Sequence, residues 1–229
     1  MSSKKIPQIL ALIPARAGSK RLKKKNVLMF NGLPLISWTI NSALKSKFFS
    51  KIVVSTDDNQ VIKICEKINS LYVIKRPSDL ASDHATSIDV ALHALDMFDG
   101  FDYFVLLQPT SPLRTFQHID AAINKCLKNN AMSCVSVVKV SENPHWMYEV
   151  NDNFKLRKIT TNSQYTRRQD VPKIYKLNGA IYLSNVDRLK STRNFVDDNT
   201  IAYEMGIAES IDIDTELDFE KCERHLVTL

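Results

Sequence analysis

Short apolar runs alternate with amphipathic segments of helical period along the first 140 residues of the chain. Runs of this length predict buried strands, and the segments between them predict helices. Because parallel strands are joined through crossover helices, the alternation predicts a doubly wound, three-layer α/β/α domain with a mostly parallel sheet. The predicted strands cover residues 9–13, 51–56, 71–74, 103–107 and 134–140, and residues 180–183 and 210–214 continue the series.

The 229 residues suit a single domain covering residues 1–229. One predicted helix begins at Pro34, and the other predicted helices cover residues 61–68, 87–98, 116–127 and 216–226. After residue 140 the alternation stops, and two weak strands at residues 147–150 and 154–159 flank an Asn-Asp-Asn turn. We interpret residues from about 140 to 177 as an excursion that covers a site or forms a dimer contact.

Charge and cysteine usage limit the classes of partner. The net charge of +6 comes from 31 basic and 25 acidic residues, and the excess is local, which favours one anionic ligand over a face that binds nucleic acid. No segment approaches the roughly 20 apolar residues of a membrane span. The four cysteines lack metal-ligand or redox spacing, which predicts core residues in a reducing compartment and a cytoplasmic protein.

A basic turn follows the first predicted strand directly. Pro14 ends the apolar run, and six cations then arrive within ten residues, around Gly18. Backbone N–H groups of such a turn, together with cations, form a cradle for anions, so the turn predicts a polyphosphate site. The alternative is a solvated surface loop. The cations are Arg16, Lys20, Arg21, Lys23, Lys24 and Lys25.

Two familiar phosphate motifs are absent from the sequence. There is no G-x-x-x-x-G-K-[ST], and none of the five glycines forms G-x-G-x-x-G. These absences disfavour an ATPase and a dehydrogenase. The five histidines show no ligand or triad spacing, so a covalent mechanism is disfavoured as well.

Polar clusters follow four of the predicted strands. In doubly wound sheets, ligands bind beyond the carboxyl ends of the strands, so we expect these clusters to converge on one site. The clusters cover residues 16–26, 57–58, 76–87 and 108–114.

Asp212 and Asp214 are separated by one residue in the last predicted strand. On a strand both carboxylates would leave the same face, where a cation would have to neutralise them. Hard oxygen ligands suit Mg²⁺, which often shares a substrate phosphate. The alternative is an exposed edge with two solvated aspartates. A cation cradle and a metal-binding carboxylate pair together favour transfer of a nucleotidyl group.

Several long motifs identify a family resemblance that covers nearly the whole chain. In their order and sequence, these motifs resemble those of the bacterial acylneuraminate cytidylyltransferases, also called CMP-sialic acid synthetases. The motifs are Ile-Pro-Ala-Arg-Ala-Gly-Ser-Lys from residue 13, Lys-Asn from 25, Val-Ser-Thr-Asp from 54, Arg-Pro from 76, Leu-Ala-Ser-Asp from 80, Leu-Gln-Pro-Thr-Ser-Pro-Leu-Arg from 107, Arg-Arg-Gln-Asp from 167, Asn-Gly-Ala-Ile-Tyr from 178 and Ser-Ile-Asp-Ile-Asp-Thr-Glu from 210.

The resemblance implies a Rossmann-like nucleotide-diphospho-sugar transferase fold. It also implies that the anomeric hydroxyl of a nonulosonic acid attacks the α-phosphate of CTP in line, giving a CMP-sugar and pyrophosphate. The implied nucleotide-binding residues are Ala15, Arg16, Lys25, Asn26, Arg76 and Ser87, and the implied sugar-binding residues are Gln108, Arg168, Asn178, Tyr182 and Phe195. Arg16, Lys25 and Asp212 are the implied catalytic residues, and Asp212 and Asp214 would hold Mg²⁺ or Mn²⁺.

The resemblance further implies a homodimer that does not bind nucleic acid or membranes. Residues from about 140 to 177 would form the dimerisation lobe, and a residue from the partner's lobe would complete each site. Membership of such a family would place the product in lipopolysaccharide or capsule biosynthesis.

Two positions depart from the family pattern and bear on the sugar. Trp146 stands where sialic-acid enzymes often carry a lysine, and Phe195-Val196 stands where they often show paired phenylalanines. We expect a relative such as legionaminic or pseudaminic acid rather than N-acetylneuraminic acid. The main rival within enzymes is a 3-deoxy-manno-octulosonate cytidylyltransferase. The rival from another class is a non-catalytic protein that binds polyanions or nucleic acid through the basic turn.

Overall fold

The computed structural model of the protein describes residues 6–160, 165 and 167–227. Within these residues, the strands are β1 (Ile9–Ala15), β2 (Met29–Phe30), β3 (Leu33–Pro34), β4 (Lys51–Thr56), β5 (Leu71–Lys75), β6 (Tyr103–Leu106), β7 (Ser133–Lys139), β8 (Tyr148–Val150), β9 (Leu156–Lys158), β10 (Tyr175–Asn185) and β11 (Ile201–Glu204). The helices are α1 (Leu35–Lys45), α2 (Asn59–Cys65), α3 (Ser87–Met97), α4 (Phe116–Lys128), α5 (Val186–Thr192) and α6 (Glu216–Val227).

A central sheet of seven strands organises the described residues, in the order β11-β7-β10-β6-β1-β4-β5. Neighbours pair in parallel except for β10, which runs antiparallel to both β6 and β7. The predicted three-layer α/β/α arrangement with a mostly parallel sheet is therefore confirmed. The carboxyl ends of β1, β4, β5 and β6 lie at one edge of this sheet, as parallel pairing requires.

Both faces of the sheet are covered, which explains why its central strands are apolar throughout. Successive residues of β1 point to opposite faces. Ile9, Ala11 and Ile13 pack in the cluster with α1, α2 and α4, whereas Leu10 and Leu12 pack in the cluster with α3 and α5. The end of the sheet that carries the polar loops is therefore held by a strand that is packed on both faces.

A third apolar cluster lies apart from these two faces and includes Phe30, Leu35, Leu113, Ile213 and Cys222. The last two residues bring the end of the chain, including α6, against the loops that follow β1 and β6. All four cysteines are free and buried, as the sequence predicts. Burial raises the pKa of the Cys126 thiol to about 12.

The strand predicted at residues 210–214 is wrong. This segment has no regular secondary structure, and the N–H of Ile213 donates to the carbonyl of Thr110 (2.8 Å), which lies in a loop. The apolar alternation has a different cause, because Ile211 and Ile213 both pack in the third apolar cluster. The strand of the sheet in this part of the chain is β11, which the sequence prediction missed and which pairs in parallel with β7.

The predicted excursion contains a hairpin of β8 and β9, and both strands are shorter than the sequence indicated. Large apolar side chains are exposed on the excursion: Trp146, Met147, Tyr148, Val150, Phe154, Leu156, Ile159, Tyr175 and Leu177. Within the described residues, no helix combines the length and apolar character that a membrane crossing requires.

Candidate active site

Residues of three of the four polar clusters that follow the parallel strands line one cavity of about 490 Å³, whereas Asp57 and Asp58 do not. Arg16 comes from the turn after β1, Arg76 from the end of β5, Ser87 from the start of α3 and Gln108 from the end of β6. Asp214 from the segment before α6 lines the same cavity. The predicted convergence is therefore present for the clusters at residues 16–26, 76–87 and 108–114, and we call this space the first cavity.

Lys25 is the most enclosed of the described cations in the basic turn that form ion pairs, with 13% of its side chain exposed. Lys24 adopts a left-handed conformation (φ 54°), and a short 3₁₀ turn from Lys25 follows it. The Nζ of Lys25 donates to Oδ1 of Asp214 (2.9 Å) and to the carbonyl of Ile213 (2.8 Å). Lys25 therefore links the turn after the first strand to the segment that carries both candidate metal ligands.

Arg16 and Lys20 converge on one carboxylate inside the first cavity. Arg16 Nη1 donates to Oδ1 of Asp83 (2.7 Å), and Lys20 Nζ lies 2.5 Å from Oδ2 of the same residue. Hydrogen bonds from these two cations, Lys20 foremost, lower the pKa of Asp83. The carboxylate of Asp83 thus forms ion pairs with two cations that are predicted to bind phosphate.

Buried residues hold the turn in shape. Asn26 is 6% exposed, and its Nδ2 donates to the carbonyl of Arg16 (3.1 Å). Ala15 is buried at the end of β1, where its carbonyl accepts a hydrogen bond from the hydroxyl of Thr56. Oδ1 of Asp57 accepts from the N–H of Ala17 (2.8 Å). Asn26 and Ala15 thus support the backbone of the cradle.

Arg76 is anchored in the wall of the first cavity. Its Nε donates to Oγ of Ser55 (3.1 Å) and its Nη2 to the carbonyl of Ser55 (2.7 Å). Burial lowers its pKa to about 10, opposed by the charge of Asp57. At neutral pH the guanidinium therefore remains a fixed positive charge beside the cavity.

The N-terminus of α3 contributes a further feature that favours anions. Thr86 caps the helix through a reciprocal pair of hydrogen bonds with Asp89, and Ser87 begins it. Ala85, Thr86 and Ser87 all line the first cavity. The partial positive charge of a helix N-terminus therefore adds to that of the cations.

A second cavity of about 760 Å³ lies beside the first. Gln108 belongs to the walls of both cavities. Asn178, Gly179, Tyr182 and Asp212 line the second, together with residues at the base of the excursion. The side chain of Gln108 therefore stands at the boundary of the two spaces.

A bulge in β10 shapes this boundary. The register with β7 shifts between Leu177 and Tyr182, and Gly179 takes a positive φ of 79° there. A Cβ on Gly179 would lie 3.5 Å from Oε1 of Gln108 and 3.8 Å from Oδ2 of Asp212. Glycine thus supplies the backbone conformation and leaves the two polar side chains close to the chain.

Asn178 is 5% exposed, and its amide bonds within the protein. Its Oδ1 accepts from Ser136 Oγ (2.6 Å), and its Nδ2 donates to Ser210 Oγ (2.9 Å). The residue therefore supports the bulge from the cavity wall.

Asp212 and Asp214 flank the buried Ile213 and line different cavities. Burial raises the pKa of Asp212, a hydrogen bond from Thr110 opposes that shift, and the neighbouring charge of Asp214 reinforces it. Oδ1 of Asp212 is buried with no hydrogen-bond partner among the described residues. Asp214 instead binds Lys25 and lies 3.5 Å from Arg21. The shared strand face predicted for this pair is therefore wrong.

The orphaned oxygen of Asp212 fits a cation, since a buried carboxylate oxygen without a donor is costly. In the described part of the chain, no group of three or more His, Cys, Asp or Glu side chains could hold a metal. A metal held by the two aspartates would therefore need further oxygen ligands from water and substrate. That donor set is typical of Mg²⁺.

The remaining sugar-binding predictions fall in three different places. Tyr182 lines the second cavity, and burial raises its pKa, with the charge of Asp212 as a smaller cause. Phe195 is only 6% exposed, lines neither cavity and lies in the core with its ring 5.4 Å from that of Tyr182. Arg168 lies in a 3₁₀ turn, and its side chain falls outside the described part of the protein.

Asp83, Thr110 and Gly179 emerge as site residues only in the structure. Each lies within a motif that the sequence presents, namely Leu-Ala-Ser-Asp, Gln-Pro-Thr and Asn-Gly-Ala. The sequence places each of them on a loop or at the end of a strand. Its local pattern does not show that the fold brings Gly179 against Gln108, which lies 71 residues earlier in the chain.

The model of the cytidylyltransferase family matches residues 10–226. The chain belongs to the cytidylyltransferase family. It is 37% identical over 215 residues to the N-acylneuraminate cytidylyltransferase of Escherichia coli, which covers 93% of this chain and 51% of that protein. It is 36% identical over 222 residues to the CMP-N,N'-diacetyllegionaminic acid synthase of Legionella pneumophila, with 95% of each chain covered.

The cytidylyltransferase relatives differ in length and in the sugar that their names give. The chain spans about half the length of the N-acylneuraminate cytidylyltransferases that it matches in Escherichia coli and Streptococcus agalactiae. A pseudaminic acid cytidylyltransferase of Campylobacter jejuni is 30% identical over 177 residues, which is 76% of each chain.

Among solved structures, a CMP:2-keto-3-deoxy-manno-octonic acid synthetase complexed with CTP has a TM-score of 0.72. It is 17% identical and covers 96% of this chain and 99% of its own. A 4-diphosphocytidyl-2C-methyl-D-erythritol synthase from Anaerococcus prevotii has a TM-score of 0.69 at 14% identity, covering 97% of this chain and 100% of its own. At these identities the likeness shows the fold alone.

Proposed function

We propose that this cytidylyltransferase joins CTP to a nonulosonic acid and releases pyrophosphate. The first cavity takes the nucleotide, and the second takes the sugar. The observation that carries the proposal is the common boundary of the two cavities. Gln108 lines both cavities there, Asp214 lines the first, and Asp212 lines the second. Such an arrangement can align two bound reactants for a direct displacement.

In the proposed reaction, the anomeric hydroxyl of the sugar forms a bond to the α-phosphorus of CTP as the bond to the pyrophosphate oxygen breaks. The hydroxyl loses its proton, and Asp212 is our candidate to accept it. Arg16 and Lys25 stabilise the charge on the phosphates, supported by the fixed charge of Arg76. Gln108 orients the sugar at the boundary.

Asp212 and Asp214 would hold Mg²⁺ or Mn²⁺ in this proposal. A bound divalent ion would supply positive charge at the phosphates. Its support here is the orphaned oxygen of Asp212. Asp214 would have to share its carboxylate between the metal and Lys25, its ion-pair partner in the structure.

The sugar is proposed to be a nonulosonic acid, with legionaminic acid or a similar relative ahead of N-acetylneuraminic acid. The support is the legionaminic acid synthase of almost equal length and the sequence departure at Trp146. Phe195 gives no support, because it lies in the core and lines neither cavity. Pyrophosphate release should be measured with CTP and a panel of legionaminic, pseudaminic and N-acetylneuraminic acids and 3-deoxy-manno-octulosonate. Turnover of the octulosonate alone would overturn the nonulosonate proposal, and preference for N-acetylneuraminic acid would overturn the finer one.

We also propose that the protein forms a homodimer through the excursion in the cytoplasm. Phe154 is 90% exposed and Leu156 67% exposed on the hairpin, beside several other apolar side chains. Burying such residues against a second copy would remove this apolar surface from water. Replacing Phe154 with aspartate is expected to shift the mass measured by light scattering from dimer to monomer. A wild-type monomer at micromolar concentration would contradict the proposal.

Asp83 is expected to compete with the phosphates of CTP, because it occupies Arg16 and Lys20 in the structure. Asp83→Asn removes the competing charge and should lower KM for CTP about two- to fivefold, the size typical of exposed ion pairs. Initial rates measured against CTP at saturating sugar test this. Asp79→Asn, in the same exposed loop, should leave KM unchanged. An increased KM for Asp83→Asn would show that Asp83 assists binding.

A further inference from the structure

Arg114 is a fully buried cation with no ion pair in the described part of the chain. It ends the loop that begins at Gln108. Burial alone lowers its pKa, to about 9. A buried charge is costly unless hydrogen bonds compensate for the lost water, so its retention here calls for a specific use of its donors.

The donors of Arg114 connect three separate elements. Nη1 donates to the carbonyl of Gln108 (3.1 Å) and to the carbonyl of Ala180 (3.0 Å). Nη2 donates to Oγ1 of Thr39 on α1 (2.8 Å). The first two acceptors lie on the chain segments that carry Gln108 and Gly179 to the boundary of the two cavities.

Arg114 bonds the two carbonyls just beyond the point where β6 and β10 stop pairing. The antiparallel ladder between β6 and β10 ends where Leu106 pairs with Tyr182. The same register continued by two residues would place Gln108 opposite Ala180, but the ladder stops at Leu106, and β10 shifts its register with β7 between Leu177 and Tyr182. Arg114 Nη1 bonds both carbonyls at that place, so one side chain replaces the missing backbone pairing.

We propose that Arg114 is a positioning residue that fixes the end of β6 to the bulge of β10 and so sets the spacing between Gln108 and Asp212. This rests on the proposed function, in which those two side chains meet the reacting groups. Gly179 is close to both, so a change in the separation of the two segments moves one relative to the other. A misplacement of about 1 Å in a reacting site costs on the order of 100-fold in rate.

The main test is Arg114→Lys, which keeps the charge but loses the fixed planar set of donors. We expect kcat to fall about 100-fold, with KM for CTP changed less than about threefold. Thr39→Val removes the acceptor for Arg114, and with it the hydroxyl's own hydrogen bond to the carbonyl of Gln108 (3.4 Å), without touching either cavity. It should lower kcat about tenfold, whereas Thr39→Ser keeps both bonds and should stay within about twofold.

Arg188 offers a matched control, because it is also an enclosed arginine beside β10 but bonds Ser184, Asn194 and Asp197, away from the cavities. Arg188→Lys should lower the melting temperature without changing kcat. If Arg114→Lys lowers the melting temperature as Arg188→Lys does but retains kcat within threefold, the positioning role is wrong. If Arg114→Lys does not fold, Thr39→Val against Thr39→Ser decides in the same way.

The wild-type assay separates this proposal from the proposed function. Failure of the wild-type protein to release pyrophosphate from CTP with every sugar of the panel would refute the function. In that case, hydrogen–deuterium exchange still tests the connection. Arg114→Lys or Thr39→Val should then increase exchange at residues 106–111 and 177–182. An unchanged pattern there would refute the connection that Arg114 makes between the end of β6 and the bulge of β10.

Discussion

Replacing Lys25 with methionine is expected to lower kcat/KM for CTP by about 100- to 1,000-fold, the effect of removing one preorganised charge from a transition state. Lys25 is the cation that links the basic turn to Asp214, so its loss removes charge from the nucleotide site and releases the carboxylate. Methionine keeps the apolar stem of the side chain. Initial rates of pyrophosphate release at varied CTP measure the change.

Lys25→Met is also expected to reduce stability, because the amine of Lys25 bonds a distant segment of the chain. Its amine is enclosed and donates to the carbonyl of Ile213 as well as to Asp214. Loss of those bonds should cost about 1–3 kcal/mol in the free energy of unfolding. Urea unfolding separates this cost from the catalytic loss, since the assay can be run where both proteins are fully folded.

Lys23→Met is the matched control, because Lys23 is an exposed cation of the same turn. Its rate constants and its unfolding midpoint should match those of the wild type. Equal losses in the two variants would mean that the turn acts through its total charge, as a polyanion-binding surface would. That result would refute a specific contact between Lys25 and the nucleotide.

The sheet was predictable because its pattern is local. Each parallel strand is a short apolar run that ends in polar residues, and the run at residues 51–56 matches β4 residue for residue. The convergence of the polar loops follows from parallel pairing alone. Arg16, Arg76 and Gln108 could therefore be placed at the same end of the sheet without knowledge of any long-range contact.

The segment around Ile213 shows where local patterns fail. Alternation predicts a strand, but a chain that crosses the end of a sheet shows the same alternation when its apolar residues enter a core cluster. Whether such a segment joins the ladder depends on where the fold places it, and the position beside β7 is taken by β11. The partners of Asp212 and Asp214 were unpredictable for the same reason, since they come from distant loops.

Replacing Asp212 with asparagine is expected to lower kcat by about 1,000-fold or more, within the range of a lost acid–base group. Asparagine has nearly the shape of aspartate but cannot accept a proton at neutral pH and is a weaker metal ligand. The measurement is kcat with CTP and the preferred sugar at a series of Mg²⁺ concentrations. Chelation of the metal should abolish the wild-type activity, and added Mg²⁺ should restore it.

The same substitution is expected to preserve or increase stability, which distinguishes it from structural damage. Burial raises the pKa of Asp212, so the ionised carboxylate destabilises the folded protein above that pKa. A neutral amide removes this cost at pH 7. The gain should diminish as pH falls through the raised pKa, because the wild-type carboxyl then becomes neutral as well. Thermal unfolding without metal at several pH values measures it.

Asp214→Asn provides the contrast, because the two neighbouring aspartates should have opposite effects on stability. Asp214 is bonded to Lys25, which would lose its ionised partner, so this variant should melt at a lower temperature than the wild type. Asp212→Asn, in contrast, removes a carboxylate whose Oδ1 has no partner in the described part of the chain. Asp212→Asn with full activity and unchanged Mg²⁺ dependence would refute its assignment as proton acceptor and metal ligand.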